Sequence, residues 1–159
     1  MTIAIGDRIP SATLNFLKDG VQAIRTDDLF AGKTVVLFAV PGAFTPTCSA
    51  KHLPGYVAKL DAIRARGIDT VACMAVNDAF VMEAWAKSQN APEEILMLAD
   101  GNGAFSKSLG LEMDATAFGM GLRSKRFALV AKDGVVTQLF VEAPGEFKVS
   151  AAEYVLDNL

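Results

Sequence analysis

Thr34-Val35-Val36-Leu37-Phe38-Ala39-Val40 runs straight into Pro41-Gly42-Ala43-Phe44-Thr45-Pro46-Thr47-Cys48-Ser49. The apolar run reads as a buried strand, and the residues after it read as a loop opening a helix. Thr45 is expected to cap that helix, Pro46 suits its first position, and Cys48 then falls at the third. The first N–H groups of a helix lack intrahelical partners and carry partial positive charge. A cysteine delivered there is favoured as a thiolate, the reactive form of the side chain. A lone cysteine is more often buried and inert. The threonine, the two prolines and the helix start around Cys48 reverse that expectation.

Working outward, Leu14–Leu17 and Val21–Thr26 flank Lys18-Asp19-Gly20 and predict an N-terminal hairpin. Ser49–Arg66 reads as a helix bent at Pro54-Gly55, because proline lacks the N–H a helix would use, and ended near Gly67. Ile68–Val76 is a second β-rich run. Asn77 or Asp78 can cap a helix running to about Asn90, with Phe80, Val81, Ala84 and Trp85 on one face. Ile95–Ala99 reads as a strand and Gly103–Leu109 as a short helix. Arg126–Ala131 and Val135–Glu142 are strands joined through Lys132-Asp133-Gly134. Ser150 with Glu153 has the form of a capping box for a last helix. This alternation predicts an α/β layout, and pattern alone leaves several three-layer folds open.

With 159 residues, the chain is expected to form one domain over residues 1–159. Apolar residues at 52% and charged residues at 21% fit a folded globular protein rather than a disordered one. A net charge of −3 gives no reason to expect nucleic acid or an anionic membrane as partner. No apolar run approaches the ~20 residues a membrane helix needs. The N-terminus shows no basic leader followed by an apolar core, so no secretory signal is expected. Two cysteines make no disulfide scaffold and fit a reducing compartment, which favours the cytoplasm.

Pro41, Thr45 and Cys48 match the P-x-x-x-T-x-x-C signature of the peroxiredoxins. With Ser49, His52, Leu53, Pro54 and Gly55 following, the segment resembles the type II branch, which includes plant type II and animal peroxiredoxin-five proteins. The resemblance recurs at Val71–Val81, Arg123–Val130 and Gly145–Ser150. It implies a thioredoxin fold with a central mixed sheet, helices on both faces and an N-terminal hairpin extension. It further implies a thiol peroxidase acting on hydrogen peroxide and organic hydroperoxides, without a prosthetic cofactor and dependent on an external thiol reductant. A homodimer is implied too, through loops including Phe44, Phe80 and the Phe118–Met120 region.

Reducing a peroxide needs a sulfur nucleophile and polarised donors aimed at both oxygens. Thiolate formation alone is not enough. A thiol of pKa ~8.5 is about 3% ionised at about pH 7, and lowering that pKa to ~6 gains roughly 30-fold in thiolate. The accompanying loss of nucleophilicity is about 13-fold, so the net gain is only about twofold. The surroundings must supply the rest. Thr45, one turn before Cys48, carries a hydroxyl that can bond the peroxide. Arg126 occupies, by resemblance, the family's active-site arginine position; a guanidinium stays charged and offers several donors. Arg123 is a candidate helper. Pro41, Gly42, Phe44 and Thr47 are expected to line the substrate pocket. His52, four residues after Cys48, is assigned to packing or weak tuning.

Cys73 lies inside an apolar strand and reads first as an inert core thiol, with a resolving role as the alternative. Animal relatives carry a resolving cysteine where this chain has Ser150, and serine cannot form that disulfide. The resemblance therefore points to a one-cysteine enzyme recycled by glutathione and glutaredoxin, with thioredoxin as another possible reductant. Two other functions compete with this one. A general disulfide oxidoreductase is disfavoured by the lack of any C-x-x-C pair, whereas a peroxide-sensing switch using Cys48 without turnover is left open. No histidine pair or cysteine cluster suggests a catalytic metal.

Overall fold

Thr34–Ala39, Thr70–Ala75 and Phe127–Lys132 are apolar at nearly every position, so both faces of the sheet they build must be covered. In the computed structural model, which describes residues 1–159, they form the middle of a seven-stranded sheet. The strands are β1 (Thr13–Leu17), β2 (Val21–Arg25), β3 (Thr34–Ala39), β4 (Thr70–Ala75), β5 (Ile95–Ala99), β8 (Phe127–Lys132) and β9 (Val135–Val141). Their spatial order is β2-β1-β5-β4-β3-β8-β9. β3 runs parallel to β4, and β4 to β5, while β8 pairs antiparallel with β3 and with β9. This is the thioredoxin-type mixed sheet expected from the resemblance.

Side chains alternate across each strand, so the two faces own different cores. Val36, Phe38, Val40, Cys73, Ala128 and Val130 pack with the helices α2 (Leu53–Arg64), α3 (Ala79–Ser88) and α5 (Ala152–Asp157). Val35, Leu37, Ala39, Met74, Leu129 and Ala131 pack on the other side with α1 (Thr26–Phe30), α4 (Ala104–Ser108) and the N-terminal segment. Cys48 belongs to the first core.

Both hairpin signals form. Asp19 and Gly20 take positive φ at one turn, and Asp133 and Gly134 at the other. The latter is the two-residue left-handed turn that matches strand twist. Asp78 caps α3, its side chain accepting from the Val81 N–H at 2.8 Å.

Several expectations need correction. The helix after the cysteine loop is not continuous from Ser49. Helical turns begin at Pro46, widen to a π-helical turn over Cys48–His52, and resume as α2 at Leu53, which donates its N–H to the Cys48 carbonyl. Pro54 supplies the cause: it has no N–H, and its ring would meet the carbonyl four residues back. Such π turns gather at functional sites. α3 buries Ala79, Met82, Trp85 and Ala86, leaving Phe80 63% exposed. The Ser150–Glu153 capping box does not form. α5 starts at Ala152 with no side-chain cap, because the buried Ser150 hydroxyl donates to Glu142 at 2.6 Å. A separate hairpin, β6 (Glu112–Asp114) with β7 (Leu122–Ser124), was not foreseen.

Candidate active site

β3 is an interior strand, between β4 and β8, and the loop leaving it is pinned on three sides. The Ala43 N–H donates to Asn77 Oδ1 at 2.9 Å, tying the loop to the segment after β4. Trp85 Nε1 donates to Ser49 Oγ at 2.9 Å, tying the π turn to α3. Arg123 on β7 donates from Nε to the Met120 carbonyl at 2.9 Å and reaches the Pro41 carbonyl from Nη1 at 3.5 Å. Gly42 is closely surrounded: a Cβ would stand 3.0 Å from Arg123 Nη1 and 3.3 Å from the Thr45 methyl, so these side chains would have to shift to admit one. Phe44 holds φ at +64°, an outlying conformation for a bulky residue, and is 56% exposed. Strain of this kind persists only where the surroundings impose it.

Thr45 stands at the N-cap position, its carbonyl accepting the Ser49 N–H at 3.0 Å. Its hydroxyl does not cap, however. It donates back to the Gly42 carbonyl at 2.6 Å, which leaves the oxygen free to accept from a ligand O–H. Cys48 is fully buried and forms no disulfide. Its sulfur accepts from Arg126 Nη2 at 3.1 Å. Arg126 immediately precedes β8, so strand pairing with β3 brings it beside the cysteine loop although it lies 78 positions further along the chain than Cys48.

The second arm of the guanidinium meets His52 Nδ1 at 2.7 Å. Arginine can only donate, so Nδ1 accepts and the imidazole proton sits on Nε2. That nitrogen lies 3.1 Å from the Ser150 carbonyl, which also accepts from the Tyr56 hydroxyl at 2.8 Å. Burial lowers the His52 pKa to about 3, Arg126 adding to the effect, while the Ser150 carbonyl and Glu142 oppose it. His52 is therefore neutral in the fold. Packing or weak tuning was the expectation for this residue: its ring does contact Phe38 and Tyr56, and its Nδ1 in addition accepts from the arginine.

Ser150 is fixed in turn by Glu142, whose Oε2 accepts from the Ser150 hydroxyl, the Ser150 N–H at 2.8 Å and the Lys148 N–H at 2.7 Å. Burial alone would raise the Glu142 pKa, but hydrogen bonds from Ser150, Lys148 and Val149 outweigh it and hold the carboxyl below its ordinary range. Phe147, on the same segment, sets its ring 5.9 Å from the Arg126 guanidinium carbon and edge-on to His52.

Of the residues singled out from sequence, Cys48 and Arg126 meet directly. Pro41, Gly42, Thr45 and Arg123 are linked within one loop cluster, and Thr47 is half-buried beside the cysteine. Cys73 sits in the centre of β4 opposite Phe38, fully buried, its pKa pushed well up by burial and the nearby Cys48 and only partly offset by Arg126. Glu142, Phe147 and Tyr56 were missed. An acid ending an apolar strand was the one signal available for Glu142.

A buried thiol at a strand-to-helix junction, bonded by a guanidinium on a thioredoxin-type sheet, defines a thiol-dependent redox protein. The Redoxin family model matches residues 4–156. The chloroplastic Peroxiredoxin-2E of Arabidopsis thaliana is 48% identical over an alignment covering 99% of this chain and 70% of the relative. Peroxiredoxin-2B of the same plant is 46% identical, covering 99% and 98%. The reduced Prx3 of Vibrio vulnificus in complex with H2O2 superposes with a TM-score of 0.95 at 57% identity, covering 99% and 96%. This chain belongs to the peroxiredoxin family. It is a thiol peroxidase, an oxidoreductase that takes electrons for peroxide from an external thiol and needs no prosthetic group.

Proposed function

We propose that this peroxiredoxin is a type II, one-cysteine member in which Cys48 attacks hydrogen peroxide and organic hydroperoxides. The observation that carries the reading is the Arg126 Nη2–Cys48 Sγ hydrogen bond of 3.1 Å. The sulfur attacks one peroxide oxygen and the O–O bond breaks. The departing oxygen takes a proton and leaves as water or alcohol, and Cys48 becomes a sulfenic acid. Arg126 is close enough to the sulfur to serve both the thiolate and the charge growing on oxygen. Thr45, with its own proton committed to Gly42, accepts the peroxide O–H. Pro41, Gly42, Phe44 and Thr47 line the approach, and Arg123 holds the loop they share.

Recycling by an external thiol follows from where the other candidates lie. Ser150 carries no thiol, and Cys73 is enclosed in the middle of the sheet with its thiol held protonated. Glutathione attacks the sulfenic sulfur, water leaves, and a mixed disulfide forms; glutaredoxin or a second glutathione then releases Cys48. The exposed Phe44, Phe80, Phe118 and Leu122 support a homodimer contact beside the site.

Adding one equivalent of peroxide and then glutathione should give one glutathione adduct per chain at Cys48, read by intact and peptide mass. Cys48→Ser should show neither adduct nor peroxide turnover. A dominant Cys48–Cys73 disulfide formed as fast as turnover would overturn the one-cysteine part alone. Rapid peroxide consumption by Cys48→Ser would overturn the whole reading. Single-turnover oxidation without steady-state consumption under glutathione and glutaredoxin would favour the switch.

A further inference from the structure

The segment joining β9 to α5 reaches the reacting sulfur only through other residues, and every link in that chain is a hydrogen bond to a buried or half-buried group. We propose that His52 and Glu142 are positioning residues for Arg126. The Glu142 carboxylate fixes Ser150, the Ser150 carbonyl fixes the His52 imidazole, and the imidazole fixes the guanidinium at Cys48. This rests on the roles just proposed for Cys48 and Arg126.

Three observations converge. First, Glu142 is buried yet forms no salt bridge. A buried carboxylate without a counter-ion is costly unless hydrogen bonds replace its hydration. Those bonds all come from Lys148–Ser150, so the charge is committed to fixing that segment. Second, Glu142 is anchored beside the arginine it serves, because its backbone N–H donates to the Arg126 carbonyl at 3.0 Å. One end of the loop therefore bonds the Arg126 backbone, and the other reaches its guanidinium through His52. Third, His52 has a single usable tautomer. With Nε2–H directed to the Ser150 carbonyl, Nδ1 must present a lone pair to Arg126.

The physical need is clear from the arginine itself. It is a long side chain with many rotamers, and ordering it is unfavourable. An unheld guanidinium would stay charged but would spend less time on the sulfur, and misplacing a catalytic group by about 1 Å can cost ~100-fold in rate. His52 fills one arm of the fork, so the other arm is left pointing at Cys48. Phe147 closes the remaining side of the guanidinium and the edge of the imidazole.

Packing and positioning make different predictions. His52→Phe keeps a ring against Phe38, Tyr56 and Phe147 but cannot accept from Arg126. His52→Asn gives up ring packing but offers an oxygen acceptor near the position of Nδ1. The experiment measures the second-order rate constant for Cys48 oxidation by stopped flow, for each variant alone and combined with Arg126→Ala. His52→Phe should be ~10-fold slower in the wild-type background, the weight of a hydrogen bond to a charged group. It should change the rate by less than about twofold in the Arg126→Ala background, because the two act as one unit. His52→Asn should recover most of the loss. Glu142→Gln, which preserves shape and removes the charge, should slow oxidation by roughly threefold with the same non-additivity; this cycle decides the matter if His52→Phe fails to fold. A slow Arg126→Ala with a normal rate in His52→Phe and Glu142→Gln would overturn the positioning role alone. Equal fold-losses in both backgrounds would do the same. A normal rate in Arg126→Ala would instead remove the assignment beneath it.

Discussion

Acid should weaken this fold well above the range in which its carboxylates titrate, and His52 is the reason. Its pKa falls from 6.5 to about 3 on folding, through burial first and the Arg126 charge second. The sign follows from proton counting. Above its unfolded pKa the imidazole is neutral in both states and stability is complete. As the pH drops below that value the unfolded chain binds a proton that the native chain refuses, so unfolding gains. Between about pH 7 and about pH 5 the loss is about 2 kcal/mol, or roughly a 30-fold rise in the unfolding equilibrium constant. Glu142 does not confuse this window. Its folded pKa lies below its ordinary 4.5, so its contribution is lost only at still lower pH. The assay is urea unfolding across the interval, for the wild type and for His52→Phe, which cannot titrate. The wild type should lose about 2 kcal/mol more than the variant, with unchanged denaturant slopes. Parallel curves would refute the buried neutral imidazole. A variant that lost more than the wild type would mean that His52 is protonated in the fold.

Two other substitutions test the surroundings of the sulfur. Cys73→Ala should leave the first oxidation of Cys48 within about twofold of wild type while lowering stability by about 1 kcal/mol, since only a small buried group is lost; stopped flow and urea unfolding read both, and a large loss of peroxide rate would give Cys73 a part in the chemistry. Gly42→Ala should push a methyl against Arg123 Nη1 and the Thr45 methyl. The expected cost is a fall in peroxide rate of roughly 3- to 10-fold from a displaced loop, and an unchanged rate would show that Arg123 yields without consequence.

Much of the frame was legible because local physics carried it. Strand periodicity, the Asp133-Gly134 turn and the Asp78 cap depend on neighbours in the chain, and each formed where the sequence placed it. The cysteine motif was legible for the same reason: Thr45, Pro46 and Cys48 occupy one helical turn. Ser150 shows where local reasoning stops. Its spacing to Glu153 satisfies a capping box, but a buried carboxylate from β9 offered its hydroxyl a charged acceptor, and the cap lost. His52 shows the same limit from the other side. Nothing within its own helix reveals that Arg126 lies 74 positions ahead and Ser150 98 ahead, both within hydrogen-bond reach. The sequence by itself determined which residue types stand at the strand ends and helix starts. Only the sheet order, which sets β8 against β3 and returns β9 beside β8, decided which of them meet around the sulfur, because hydrogen bonds act over about 3 Å and are indifferent to distance along the chain.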